Sequence, residues 1–414
     1  MINRKAVAAF TTCAALLAVT GCSSSFGSDE QTTQDTGAQQ DLTVLIASSG
    51  DAETAAVKEA AAAWAKDTGN TVTVDVAKDI NQQLAQSFAG SNPPDAFYVD
   101  SSQFANYAQG GSLYPYGAEI ADADDFSEQL RASFTYDGEL VCLPKDTSTL
   151  ALAINTDLWQ RAGLTADDYP TDWDELKSVS AKLTEGDVTG LVVGGEYARL
   201  GVFMKQAGGW ITNADQSEMT ADTAQNAEAL TYVQELLESG SLKYASEVDT
   251  NWGGEALGTG KAAMTIEGNW LTGGMKADYP DVNYQMVPLP AGPAGEGTLA
   301  YSQCWGVAQD SAHREAAVDL VEYLTTSEQM LKNADAFGVM PSRTSALAEY
   351  ALKDPSAKAW ADATAYAQGP VTIAGFDKVL TQFNTDLAAL GTGDPEKILA
   401  DLQRNGEQEL AKGE

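Results

Sequence analysis

Short runs of β-branched and aromatic residues alternate with amphipathic helical segments along the first part of the chain. The pattern predicts strands at residues 42–46, 71–76 and 96–99, with helices at residues 55–66 and 82–88 between them. Such alternation is typical of an α/β lobe with a mainly parallel sheet, because a helical crossover is what connects parallel strands. In sheets of this kind ligands bind beyond the carboxyl ends of the strands.

The same alternation begins again after residue 145. A strand is predicted at residues 149–154, a short helix at 157–161, a further strand at 190–193 and a longer helix at 223–238. A chain of 414 residues is long enough for two lobes of ordinary domain size. We therefore expect a second α/β lobe.

The N-terminus has the pattern of an export signal. Two cations precede an apolar stretch at residues 7–20, which is shorter than a membrane span and typical of a secretory signal. The sequence VTGC at residues 19–22 resembles the bacterial lipobox, in which the cysteine becomes the lipidated first residue of the mature chain. A signal peptide over residues 1–21 and a lipid on Cys22 are expected. The alternative is an ordinary signal peptide with an incidental cysteine.

Small and polar residues follow the signal. The segment after Cys22 consists largely of Ser, Gly, Gln, Thr and Asp, with Phe26 as its single aromatic residue. Such a composition cannot bury enough apolar surface to order itself. Residues 22–40 are therefore predicted to be a flexible tether between a lipid anchor in the cell membrane and a globular body.

The charge of the chain excludes several partners. Its formal net charge is −35, and removal of the signal peptide takes away Arg4 and Lys5 but no acid. A surface of this charge repels polyphosphates, so nucleic acids and anionic membrane surfaces are not expected as partners. The acids are spread along helices, which indicates a solvated surface. Attraction of a cationic ligand remains open.

Groups for catalysis are scarce. The single histidine, His313, falls in the first turn of an amphipathic helix, and no cysteines have metal-binding spacing. Zinc sites and nucleophile–His triads are therefore excluded, and no Gly-rich phosphate loop follows a strand. We expect no cofactor, no metal and no enzymatic activity. A pair of carboxylates is enough for glycoside hydrolysis, so a secreted glycosidase stays as an alternative.

One motif connects the chain with a known family. The sequence GKAAMTIEGNW at residues 260–270 resembles the signature of family 1 extracellular solute-binding proteins, the maltose-binding-protein-like components of ABC importers. Further segments resemble this family in the same order along the chain. They are DLTVLI (41–46), WAKDTG (64–69), PDAFYVD (94–100), FANYAQGG (104–111), LPKDTSTLALAIN (143–155) and WGVA (305–308).

The resemblance implies a two-lobed, periplasmic-binding-protein-like α/β fold with three hinge crossings. These crossings are expected near residues 144, 303 and 341. The implied N-terminal lobe comprises residues 41–143 plus 304–340, and the C-terminal lobe residues 144–303 plus 341–414. The resemblance further implies a monomer that binds a mono- or oligosaccharide in the cleft, closes by hinge bending and delivers the sugar to ABC permease subunits.

A sugar presents polar edges and apolar C–H faces, so its site needs aromatic platforms together with carboxylates, amides and hydroxyls. Trp270 matches the stacking position of the family, and Trp252 is the next candidate. Trp305 and Trp210 are candidates for the hinge and for the space between the lobes. The polar candidates given by the resemblance are Asp51, Asp100, Ser102, Gln103, Lys145, Asp146, Ser148, Glu196 and Glu267.

Several positions depart from the classical maltose binder. It has an acid–Arg pair where this chain has Ser102 and Gln103, an aromatic residue at Val99 and an acid at Ser148. These departures argue against maltose itself and leave an oligosaccharide as the expected ligand. Carboxylates combined with tryptophan also suit a polyamine or another cation, which is the main alternative ligand class, but Lys145 in the implied site opposes it.

Two cysteines remain after export, because Cys13 leaves with the signal and Cys22 is lipidated. The family resemblance places Cys142 and Cys304 on crossings that run side by side. Thiols outside the cell tend to pair, so a disulfide is expected between them. The alternative is a pair of buried free thiols.

Overall fold

The computed structural model describes residues 39–48 and 50–413. The predicted signal peptide, Cys22 and most of the predicted tether lie outside these residues.

The strands are β1 (Asp41–Ile46), β2 (Thr71–Val76), β3 (Ala96–Asp100), β4 (Thr135–Tyr136), β5 (Glu139–Leu140), β6 (Leu143–Pro144), β7 (Ser148–Asn155), β8 (Thr189–Val193), β9 (Leu242–Tyr244), β10 (Ala262–Gly268), β11 (Tyr284–Val287), β12 (Thr298–Tyr301), β13 (Gln303–Val307) and β14 (Ala367–Gln368). The helices are α1 (Asp51–Thr68), α2 (Ile80–Ala89), α3 (Ser101–Gln109), α4 (Glu128–Ser133), α5 (Thr156–Arg161), α6 (Trp173–Leu183), α7 (Tyr197–Gln206), α8 (Ala224–Glu238), α9 (Gly253–Gly258), α10 (Trp270–Asp278), α11 (Arg314–Leu324), α12 (Ser327–Phe337), α13 (Thr344–Lys353), α14 (Lys358–Ala363), α15 (Asp377–Ala388) and α16 (Pro395–Gly413).

The first lobe is built on a sheet with the strand order β2-β1-β3-β13-β6. β1 pairs in parallel with β2 and β3, whereas β13 is antiparallel to both of its neighbours, β3 and β6. One strand therefore runs against the others in this sheet, because β13 enters it when the chain returns from the second lobe. The three strands predicted in the first part of the chain are confirmed to within one residue at each end.

The second lobe is built on a mixed sheet with the order β14-β12-β7-β10-β8-β9, and β11 also pairs with β7. β7 is buried along its whole length and pairs antiparallel with β10, β11 and β12. β10 is also buried throughout and pairs in parallel with β8. The central strands are buried on both faces, which explains the unbroken apolar run at residues 150–154 of β7.

Each sheet has its own hydrophobic core. In the first lobe the core includes Trp64 and Phe97, and the indole Nε1 of Trp64 donates to Asp319 Oδ2 at 2.8 Å. In the second lobe it includes Trp159 and Phe203. The two-lobed α/β fold expected from the sequence is confirmed. No helix of the described residues is both long enough and apolar enough to cross a bilayer.

The chain passes between the sheets along segments that are hydrogen-bonded to one another. β6 ends at Pro144 in the first sheet and β7 begins at Ser148 in the second, while β12 and β13 are separated by Ser302 alone. The hydrogen bonds between these segments are donated by backbone amides and serine hydroxyls. They are Lys145 N to Gln303 O (2.8 Å), Thr147 N to Met340 O (2.9 Å), Ser302 Oγ to Asp146 O (2.7 Å) and Ser342 Oγ to Pro144 O (2.7 Å).

A disulfide ties two of these segments together. Cys142 and Cys304 are bridged, with their Cα atoms 5.7 Å apart, and both side chains are fully buried. Cys304 lies opposite Pro144 in the β13–β6 pair, so the bridge crosses from the outgoing to the returning segment. The disulfide predicted from the family resemblance is confirmed.

Candidate functional site

A cavity of about 440 Å³ lies where the ends of both sheets meet the crossing segments. Its wall draws on the first lobe, the crossings and the second lobe. The residues that line it are Ala47, Asp100, Ser101, Ser102, Lys145, Asp146, Thr147, Ser148, Tyr197, Asn269, Trp270, Tyr301, Ser302, Gln303, Val339 and Pro370. Six of the residues proposed from the sequence are among them: Asp100, Ser102, Lys145, Asp146, Ser148 and Trp270.

The first-lobe wall is formed where β3 ends and α3 begins. Asp100 is the N-cap of α3, and its carboxylate accepts hydrogen bonds from Ser102 N (2.9 Å) and Ser102 Oγ (2.6 Å). The capping geometry fixes both side chains at the carboxyl end of a central strand. Asp100 therefore caps a helix and lines the cavity at the same time.

A buried cluster of charges lies at the start of the first crossing. Lys145 Nζ is 3.1 Å from Glu53 Oε1 and also contacts the carboxylate of Asp146, while the Tyr98 hydroxyl donates to Glu53 Oε1 at 3.0 Å. Burial alone lowers the pKa of Lys145, but the charges of Asp146 and Glu53 outweigh it and the pKa is raised well above its ordinary value. Lys145 therefore lines the cavity as a cation that is paired with two carboxylates.

The second-lobe wall is centred on Trp270, the first residue of α10. β10 leads directly into this position, and Asn269 is anchored by its own backbone and side chain. Its N donates to Ser148 Oγ at 3.1 Å, and its Nδ2 donates to Gly338 O at 3.0 Å. The half-buried indole of Trp270 packs against Tyr301 in an edge-to-face arrangement with ring centroids 5.8 Å apart. An aromatic surface is thus fixed at the cavity wall.

An arginine that the sequence reasoning missed lies next to this indole. Arg199 Nη2 is 2.7 Å from Glu267 Oε2, and the same oxygen accepts from Trp270 Nε1 at 2.9 Å. The guanidinium carbon of Arg199 lies 5.2 Å from the centre of the Trp270 ring. Burial raises the pKa of the neighbouring Glu196, and the charge of Arg199, 3.7 Å away, opposes that shift.

The other residues proposed from the sequence lie outside the cavity wall. Trp305 and Trp210 are buried in the cores of the two lobes, and Trp305 packs against Tyr98 with ring centroids 4.5 Å apart. Trp252, at the N-cap of α9, packs close to Gly254 and Gly274. Asp51 is exposed at the start of α1, and Gln103 accepts a hydrogen bond from Asn106 Nδ2. Glu196 and Glu267 belong to the group of charges around Arg199.

Two tyrosines at the cavity wall were also missed. Burial raises the pKa of the Tyr197 hydroxyl to about 12, and the charge of Asp100 across the cavity contributes to this shift. Tyr301 ends β12 immediately before the return crossing. Both could have been found, because Tyr197 follows the candidate Glu196 and Tyr301 directly precedes the crossing expected near residue 303.

The cavity combines aromatic surfaces with hydroxyl, amide and carboxylate groups. Trp270, Tyr197 and Tyr301 supply rings, while Asp100, Asn269, Gln303 and several serines supply donors and acceptors. Such a lining suits a ligand that has apolar faces and many polar edges. Across the residues that the structure describes, no group of three or more His, Cys, Asp or Glu side chains is placed to hold a metal ion.

Comparisons with known proteins relate the chain to a family of binding proteins. The family model described as bacterial extracellular solute-binding protein matches residues 47–331. A putative binding protein of Brucella abortus (strain 2308) is 24% identical over 347 residues, which cover 80% of this chain and 83% of that protein. A diacetylchitobiose binding protein of Streptomyces coelicolor is 25% identical over 280 residues, 64% of each chain. Among solved structures, an ABC substrate-binding protein of Listeria monocytogenes in complex with cycloalternan has a TM-score of 0.79 at 23% identity, covering 90% of this chain and 99% of that one.

Proposed function

Because the chain belongs to the bacterial extracellular solute-binding protein family, we propose that it binds a sugar in the cavity between its lobes. The ligand is a mono- or oligosaccharide, and the protein delivers it to the permease subunits of an ABC importer. The names of two similar proteins support this ligand class, since one binds diacetylchitobiose and the other was solved with cycloalternan.

The observation that carries the proposal is the half-buried indole of Trp270 at the cavity wall. Its ring offers an apolar face to the C–H groups of a pyranose. Asn269 in the same wall and Asp100 in the first-lobe wall are placed to bind hydroxyl groups. Hydrogen bonds to a charged partner contribute about 1.5–3 kcal/mol each. Stacking and edge-on hydrogen bonds together distinguish a sugar from a purely apolar ligand.

Capture of the ligand would involve closure of the lobes about the three crossings. We propose residues 41–143 with 304–340 and residues 144–303 with 341–414 as the two moving bodies. The hydrogen bonds among the crossing segments support bending in which these segments move together. Hinge closure of this kind encloses a ligand without changing the fold of either lobe.

Export and anchoring complete the proposal. The signal peptide over residues 1–21, the lipid on Cys22 and the tether over residues 22–40 would place a monomeric binding protein on the outer face of the cell membrane. A lipid-modified cysteine with more than one acyl chain gives stable anchoring, because each buried methylene contributes about 0.8 kcal/mol. The description of the matched family as extracellular supports this location.

A ligand screen followed by calorimetry tests the proposed function. A thermal-shift assay compares spermidine with five sugars: maltose, lactose, cellobiose, N,N′-diacetylchitobiose and maltotetraose. Binding is detectable in this assay because a ligand at 100 times its Kd adds about 2.7 kcal/mol of apparent stability. We expect a saccharide to stabilise the protein and spermidine to have no effect. Stabilisation by spermidine alone would assign the protein to cation binding, and hydrolysis of aryl glycosides would make it an enzyme.

Replacement of Trp270 by alanine tests the site itself. We expect Trp270→Ala to remove measurable saccharide affinity while the protein stays folded, because a half-buried platform contributes to binding more than to the core. Trp252→Ala is the matched control, since that half-buried ring packs outside the cavity wall. Normal binding by Trp270→Ala, or its failure to fold, would show that the indole is a core group.

A further inference from the structure

We infer that Arg199 is a positioning residue for Trp270, acting through the carboxylate of Glu267 to fix the indole in the orientation that a sugar ring needs. The inference rests on the proposed function, in which Trp270 is the sugar platform. It assigns a role to an arginine outside the cavity wall. It also changes the role expected for Glu267, from a group that contacts the ligand to a group that holds the platform.

The geometry of Glu267 supports this role. Its Oε2 accepts two hydrogen bonds, one from Arg199 Nη2 at 2.7 Å and one from Trp270 Nε1 at 2.9 Å. The side chain is only 1% exposed. A carboxylate oxygen that is buried and used in this way is not available to a ligand hydroxyl, but it does determine where the indole N–H points.

Electrostatics explain why the arginine is needed. A buried carboxylate is costly unless it is paired and hydrogen-bonded, and its alternative is to take up a proton. Within the described residues the ion pairs of Glu267 involve Arg199 alone. Removal of the guanidinium would leave the buried carboxylate of Glu267 without its cation, which is strongly destabilising. The carboxylate would then no longer be held at the position from which it accepts the indole N–H.

The remaining contacts of the indole show that its orientation is set from several sides. The guanidinium carbon of Arg199 lies 5.2 Å from the ring centre, and the Tyr301 ring meets the indole edge-to-face. Gly268 leaves room for the ring, since a Cβ at that position would lie 2.2 Å from the indole Cζ3. A ring held in place before the ligand arrives loses little conformational entropy on binding, which is the usual advantage of a preorganised site.

The first readout needs no ligand. The indole N–H resonance of Trp270 is assigned in a ¹H–¹⁵N spectrum by its disappearance in Trp270→Phe. We expect it to shift or broaden in Arg199→Met, while the resonance of Trp64, whose indole donates to Asp319 at 2.8 Å in the first lobe, stays unchanged. An unchanged Trp270 resonance in a folded Arg199→Met protein would overturn the inference.

The second readout is affinity for maltose, lactose, cellobiose and N,N′-diacetylchitobiose. For each sugar that binds the wild type, Arg199→Met is expected to raise Kd at least about tenfold, and the same change in a Trp270→Phe background to raise it much less. An equal loss in both backgrounds would mean that Arg199 acts independently of the indole N–H. Lys177→Met, which removes a cation from the exposed pair with Glu235, is the control and should leave Kd unchanged.

A double variant keeps the test valid if Arg199→Met fails to fold. Arg199→Met with Glu267→Gln removes both charges and leaves no unpaired buried carboxylate. A folded double variant with the wild-type Trp270 resonance and wild-type Kd would overturn the inference. If no sugar binds the wild type, the proposed function fails, but the resonance of Trp270 still decides whether Arg199 positions the indole.

Discussion

Nζ of Lys145 lies 3.1 Å from Oε1 of Glu53, so a cation on the first crossing is bound to a helix of the first lobe. Both side chains are almost completely buried, and the ammonium also lies 4.6 Å from the centre of the Tyr98 ring. This ion pair therefore holds the start of the first crossing against α1 of the first lobe.

Removal of this cation should destabilise the protein in a pH-dependent way. The folded-state pKa of Lys145 is raised above the unfolded value of about 10.4. Its stabilising contribution is therefore complete below that value and is lost as the pH rises through the folded-state pKa. We expect Lys145→Met to lower the free energy of unfolding at pH 7 by about 3–5 kcal/mol, because it breaks a buried pair. The difference from wild type should shrink above about pH 10.

Urea unfolding between pH 7 and pH 11 measures this difference. Lys177→Met serves as the control, because its pair with Glu235 is exposed on both sides and should contribute about 0–1 kcal/mol. A constant difference between Lys145→Met and wild type across the whole range would contradict the assignment.

Gly268→Ala should weaken sugar binding without affecting the hinge. The new Cβ would lie 2.2 Å from Cζ3 of Trp270, so the indole has to move away from its present position. We expect Kd for a bound saccharide to rise by at least about tenfold in calorimetry. Gly391→Ala is a matched control, since its Cβ would meet Leu237 at an ordinary 3.7 Å. Equal affinities of the two variants would mean that the position of the indole does not matter.

The disulfide should contribute mainly to stability. Cys142 and Cys304 are 162 residues apart, and the chain-entropy model gives about 5 kcal/mol for closing a loop of this size. We expect Cys142→Ala with Cys304→Ala to lower the urea midpoint strongly, while saccharide affinity of the folded protein stays unchanged. Reductant should lower the midpoint of the wild type and leave the double variant unaffected. A double variant as stable as the oxidised wild type would refute this expectation.

Cys22→Ala tests the anchor. Loss of the residue proposed to carry the lipid should release the protein from producing cells instead of leaving it in the membrane fraction. Cell fractionation followed by immunoblotting measures the distribution. Retention of the variant in the membrane fraction would mean that the VTGC sequence is not a lipidation site.

The sequence was most informative where local chemistry determines structure. The strands at the start of the chain follow from β-branched and aromatic runs, and they are present. The position of Trp270 at the cavity wall came from a family resemblance rather than from any local rule. The disulfide likewise depended on knowing which crossings run side by side.

The rest of the site depends on contacts between distant residues. Arg199 and Glu267 are 68 residues apart in the chain and meet only because α7 and β10 belong to the same lobe. Trp305 and Trp210 follow small or polar residues in the sequence much as Trp270 does, yet both are buried in the cores. Hydrophobic periodicity cannot separate a tryptophan that faces a cavity from one that faces a core.

The position of β13 in the first sheet has a consequence for the order of events during synthesis. β3 and β6 are not neighbours, and the strand that fills the gap between them begins only at Gln303, after the strands β7 to β12 of the second lobe. A nascent chain therefore carries β3 with an open edge until most of the second lobe has emerged. Unpaired edges of this kind are exposed to aggregation, and pairing over such a distance is slow. The first lobe comes first in the sequence but can only be completed late.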